Sequence, residues 1–91
     1  MIVVLIKGSI YRALQAGGWE PSGQHCRLVS MRKAGRGESY KVSIGIEEMR
    51  ELRPLVDAVS KDKNQTRTTR EAAIVLAAQL GDLIAMREDR T

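Results

Sequence analysis

Over residues 41–86 the order of residue patterns admits few folds. An alternating strand is followed by an amphipathic helix, a polar basic turn and a helix that is apolar almost all round. Lys41-Val42-Ser43-Ile44-Gly45-Ile46 places Val42, Ile44 and Ile46 on one face and Lys41, Ser43 and Gly45 on the other, because successive strand residues point to opposite sides. Ile46, Met49, Leu52, Val56 and Val59 then recur at steps of three and four, the stripe of a helix with one buried face. Residues 61–70 contain no hydrophobe, whereas residues 72–78 contain nothing else. A strand followed by two helices is the expected product.

The residues ahead of this stretch complete an α+β reading. Residues 1–6 are apolar and β-rich. Residues 9–16 read as a short helix capped by Ser9, ended by Gly17-Gly18, with Ile10, Ala13 and Leu14 inward. After a turn over residues 19–23, residues 25–33 form a strand. A glycine-bearing loop over 34–38 returns the chain through 39–46. The predicted order is β-α-β-β-α-α, a small antiparallel sheet closed by two C-terminal helices in a single domain of residues 1–91. Within it, 1–40 hold the first strand, the short helix and the first hairpin strand, 41–86 the strand-helix-helix, and 87–91 a charged tail. Glu47-Glu48 opens the first of the two helices. Pro54 predicts a kink or a restart there, and Thr68-Thr69-Arg70-Glu71 fits a capping box for the last helix.

That last helix carries Ala73, Leu76, Leu80, Leu83 and Ile84 as one stripe, with Ala72, Val75 and Ala78 extending it round the first two turns. An outer helix of a monomer shows a polar back. The collar therefore predicts a homodimer, with Val75, Leu76 and Ala78 near its axis.

Composition sets the remaining bounds. Three aromatic residues, Tyr11, Trp19 and Tyr40, are few for the stacking platforms that hold single-stranded nucleic acid. One cysteine, Cys26, forms no disulfide within the chain and points to a reducing compartment. No apolar run reaches spanning length and no secretion signal is present, so a cytoplasmic protein without membrane contact is expected. Basic charge gathers in residues 1–46, with seven basic against two acidic residues, and a polyanion or an acidic protein surface is the partner it suits.

The pattern over residues 41–86 resembles the ribbon-helix-helix family of DNA-binding proteins. The resemblance implies a dimer whose paired strands enter the major groove of double-stranded DNA, with Lys41 and Ser43 facing base edges. It also implies a phosphate seated at the start of the last helix, by Arg67, Thr68 and Arg70. The family strand normally lies near the chain start, and here residues 1–40 precede it, with a loop that lets 39–46 pair within its own chain.

A second constellation is the basic hairpin of Arg27, Arg32, Lys33, Arg36 and Lys41, which fits a nucleic-acid groove or an acidic protein, or simply blocks edge-to-edge pairing. His25 and Cys26 are adjacent on a strand and diverge, so they form no dyad, and a zinc site lacks further ligands. The order of Leu14, Gly18-Trp19 and His25 is faintly similar to HicA-type toxin ribonucleases, but Gly23-Gln24 replaces the Gly-Ser that precedes their histidine. The leading expectation is a non-enzymatic, cofactor-free DNA-binding regulator of bacterial or mobile-element type, acting as a homodimer. The alternative is a phage- or plasmid-encoded inhibitor of anti-defence or anti-CRISPR type that docks on a nucleic-acid-handling host protein.

Overall fold

A computed structural model describes residues 2–35 and 37–88. The elements follow the expected order: β1 (Ile2–Lys7), α1 (Gly8–Ala16), β2 (Cys26–Ala34), β3 (Gly37–Ile44), α2 (Ile46–Lys61) and α3 (Arg67–Glu88). Contacts divide the chain into two compact units, Met1–Gly45 and Ile46–Thr91. The division falls at the end of β3, so the strand and the two helices read together in the sequence belong to different units. Among the described residues no helix is long and apolar enough to cross a membrane.

In the first unit the three strands form an antiparallel sheet in the order β1-β3-β2. Both neighbours of β3 are antiparallel to it, so β1 and β2 run parallel, with α1 in the crossover between them. Alternation sets the faces. Val4, Ile6, Val42 and Ile44 are buried, whereas Val3, Leu5 and Lys41 are exposed. Ile10, Tyr11 and Leu14 are the buried side of α1.

This helix begins at Gly8, one residue before the expected cap, and Lys7 stands at the cap position without a side-chain hydrogen bond. The reason is steric. A Cβ on Gly8 would lie 2.9 Å from Cβ of Glu38, so only glycine lets the helix start directly against β3. The other end follows expectation. Gly18 has φ +96°, its N–H donates to the Gln15 carbonyl, and the Trp19 N–H donates to that of Leu14, both at 3.0 Å. That pair of bonds is a Schellman motif. It brings Trp19 edge-on to Tyr11, with ring centroids 6.0 Å apart, while Tyr11 stacks on Tyr40 at 3.9 Å.

In the second unit α2 and α3 form a helical hairpin. Met49, Leu52, Val56 and Val59 are buried on α2, as the stripe predicted. Ala73, Leu76, Leu80 and Ile84 are buried on α3. Fully burying a leucine such as Leu52 or Leu80 contributes about 1.5–3 kcal/mol. Pro54 neither ends nor restarts α2, which is assigned as one helix. Proline supplies no N–H to the Arg50 carbonyl, but Pro54 is exposed, so water can serve that carbonyl. The start of α3 also differs from expectation. Thr66, not Thr68, is its cap: its Oγ1 accepts the Thr69 N–H at 3.2 Å and donates to Thr69 Oγ1 at 2.9 Å. Glu71 therefore lies beyond the capping position and pairs with Arg67 instead, at 3.0 Å.

Candidate nucleic-acid interface

The register of the sheet arranges its exposed face in three rows. Lys7, Ser39 and Arg32 lie side by side across the strands. Leu5, Lys41 and Ser30 form the next row, and Val3, Ser43 and Arg27 the third. Rows are about 7 Å apart and strands about 5 Å apart, so Lys7, Arg27, Arg32 and Lys41 fall within one patch roughly 14 Å by 10 Å. Three serine hydroxyls stand between the cations, and none of these nine positions is acidic. Glu38 projects from the opposite face, where Arg12 pairs with it at 3.1 Å and the Tyr40 hydroxyl donates to it at 3.1 Å. Tyr40, Tyr11 and Trp19 cluster on that same opposite side. The open face is thus cationic and hydroxylated, and it carries no aromatic side chain.

A β-bulge decides which hairpin cations join this patch. The pairing steps from Leu28↔Val42 to Ser30↔Lys41, so Val29 is an extra residue in β2. The extra residue inverts the alternation beyond it. Arg32 comes to the open face opposite Ser39, and Lys33 turns to the other face opposite Glu38. Among the expected site residues, Arg27, Arg32, Lys41 and Ser43 are therefore brought together and Lys33 is not. Arg36 lies outside the described residues. Lys7 belongs to the patch although the hairpin reading missed it, and the Val3-Leu5-Lys7 alternation was the available signal.

The strand expected to form an intermolecular ribbon is the central one. Both edges of β3 are hydrogen-bonded within the chain, to β1 and to β2. What Lys41 and Ser43 can offer a groove is a sheet face instead of a two-chain ribbon.

Arg67, Thr68 and Arg70 cluster at the start of α3, in the second unit. Arg67 is engaged by Glu71, whose carboxylate would repel a phosphate, and Thr68 is exposed. Arg70 is half-buried, and its Nε is enclosed without a hydrogen-bond partner. This end is a poorer anion site than the open sheet face. Of the residues expected at a dimer axis, Val75 and Ala78 are exposed, whereas Leu76 is 4% exposed and belongs to the core of its unit.

His25 precedes β2 and is exposed, its carbonyl accepting the Gly45 N–H at 2.7 Å, while Cys26 is buried opposite Ile44. Among the described residues no group of His, Cys, Asp and Glu is placed to hold a metal ion. No family model, curated protein or solved structure matches the chain.

Proposed function

We propose that this chain is a non-enzymatic DNA-binding regulatory protein that lays the open face of its sheet over the major groove of a duplex. One observation carries the reading: four cations and three hydroxyls share a face that holds no acid, while every aromatic ring lies elsewhere. A face without rings is ill suited to unstacked bases, which are held by stacking. Cations and hydroxyls suit a duplex, where phosphates supply affinity and base edges supply specificity. The central strand would lie over the groove floor, with Lys41 and Ser43 toward base edges. Lys7 on one edge strand, and Arg27 and Arg32 on the other, would meet the phosphate walls. The outer strands are about 10 Å apart, comparable with the roughly 12 Å width of the major groove. A-form RNA has a narrow major groove that excludes such contacts.

The test is fluorescence anisotropy with duplex DNA, its separated strands and duplex RNA of the same sequence. Duplex DNA is expected to bind tightest, with affinity falling as salt rises. No binding to any duplex at low salt, or equal binding to single strands, would overturn the proposal.

A second reading has support from the same face. Val3 and Leu5 are each more than half exposed among the cations. Apolar side chains within a basic patch also suit an acidic protein surface, as for an inhibitor docking where its target holds nucleic acid. A protein captured from bacterial lysate and retained after nuclease treatment would favour this second reading.

A further inference from the structure

We infer that the outer edge of β1 is a dimerisation edge whose occupant is β1 of a second copy of this chain. β1 is hydrogen-bonded to β3 on one side only. Among the described residues no protein hydrogen bond is made along its other side. Every second residue therefore turns its backbone N–H and C=O outward, and such a row is a template for another strand. Edge strands are ordinarily defended against this by charge, proline or a bulge. Over Ile2-Val3-Val4-Leu5-Ile6 there is none of these, only apolar residues that are all β-branched except Leu5. Lys7 stands at the end of the strand. The opposite edge of the sheet is defended twice: β2 carries the bulge at Val29, and Arg27, Arg32 and Lys33 are spread along it.

The sequence of β1 selects its occupant. Antiparallel pairing about a two-fold axis at Val4 sets Val4 against its own copy, Val3 against Leu5 of the partner and Ile2 against Ile6. In this register the faces agree, since residues of the open face meet residues of the open face and buried positions meet buried positions. Val3 is 57% and Leu5 54% exposed in the single chain, and the cross-strand pair they form partly covers both. The two Lys7 residues fall at opposite ends of the seam, about 20 Å apart, beyond the roughly 10 Å screening length of ordinary salt. An acidic strand from another protein would find no cation within the seam to answer it.

Association stops at two copies. Pairing consumes both β1 edges and leaves free only the β2 edges, where the same operation would bring Arg27 close to Arg32 or Lys33 of the copy. The product is one six-stranded sheet, β2-β3-β1-β1-β3-β2. An axis perpendicular to the sheet does not exchange its faces, so both cationic faces lie on the same side. This inference does not rest on the proposed DNA contact, because edge pairing runs in the plane of the sheet.

The test is sedimentation equilibrium on the full chain, with circular dichroism to confirm folding. Main-chain hydrogen bonds, more than area, supply the affinity of strand addition, so a dimer is expected with Kd on the order of tens of micromolar. Val3→Lys combined with Leu5→Lys, both at exposed positions, should be folded and should weaken dimerisation at least tenfold, since cations then face each other across the seam. Val3→Glu combined with Leu5→Lys should restore it, because each copy then sets its acid opposite the partner's cation. Val75→Glu on the exposed side of α3 should leave it unchanged. A wild type that stays monomeric at high-micromolar concentration would overturn the inference, as would association that continues beyond the dimer. So would a dimer indifferent to the two lysines, a charge-paired variant that does not recover, or a dimer lost on Val75→Glu.

Discussion

The sheet-face reading makes its sharpest statement about Arg27, Arg32 and Lys33, near neighbours in sequence that the β2 bulge sends to different faces. If Lys7, Arg27 and Arg32 each neutralise one phosphate, log K for a duplex falls with log salt at a slope of about −2.7 per chain, from roughly −0.9 per phosphate. Between about 50 and 200 mM salt that slope is a loss of roughly 40-fold. Arg27→Ala or Arg32→Ala removes one contact, so the slope becomes about −1.8 and the same salt step costs only about 12-fold. At fixed salt either variant weakens all sequences alike. Lys33→Ala, opposite Glu38 on the other face, should leave slope and affinity at wild-type values. Lys41→Ala should act differently again, costing about 1–3 kcal/mol at a preferred site and relaxing the preference. Anisotropy titrations over a salt series, on a selected and a scrambled duplex, separate these outcomes. Equal losses for Lys33→Ala and Arg32→Ala would refute the face assignment. Identical behaviour of Lys41→Ala and Arg27→Ala on both duplexes would refute the division between groove floor and wall.

Three further outcomes concern the fold. Thr66→Ala deletes the cap that receives the Thr69 N–H and should cost about 1 kcal/mol in urea unfolding, whereas Thr68→Ala should cost far less. Leu52→Ala opens a cavity where the side chain is fully buried and should cost about 2–5 kcal/mol, read as a lower urea midpoint at unchanged slope. Burial raises the pKa of Tyr11, and the hydrogen bond to Glu38 raises that of Tyr40. A pKa raised by folding contributes stability that is complete below the unfolded tyrosine value near 10 and is lost as pH climbs through the folded values. Thermal unfolding followed through the alkaline range should therefore show a falling midpoint from about pH 10. Tyr40→Phe should remove part of that dependence.

What was legible in the sequence was periodicity. The alternation of β3 and the stripes of α2 and α3 named most of their buried residues, because solvent exclusion acts on one face of a regular element at a time. The misplaced details are those decided by contacts between elements or by local irregularity. Ser9 looks like a cap, but the gap that Gly8 leaves beside Glu38 moves the helix start. Thr68 and Glu71 fit a capping box, but Thr66 takes the cap two residues earlier. Without the bulge, alternation along β2 would put Arg27 and Lys33 on one face. The extra residue at Val29 exchanges Lys33 for Arg32, and nothing in the local composition announces it. Leu76 lies on the inner stripe of α3 and is buried there, so its expected place at a dimer axis beside the exposed Val75 does not hold within the chain.

The size of the open face bounds what one chain can hold. Three strands span about 14 Å and six residues about 20 Å, a footprint of roughly 280 Å². A single DNA-binding module ordinarily buries about 600–1,000 Å². One sheet face can therefore supply a few phosphate contacts and one or two base contacts, and its affinity alone is modest and strongly screened by salt. A homodimer presenting two such faces would change this without adding any contact to the face itself. Once one face is bound, the second binds at the high effective concentration of a tethered site, provided the duplex presents a second half-site within reach. The phosphate count, and with it the salt slope, then doubles per complex while remaining the same per chain. On this argument a chain that stays monomeric should bind duplex DNA only weakly, with the salt slope of a single face, and two linked copies should bind far more tightly than one at the same slope per chain.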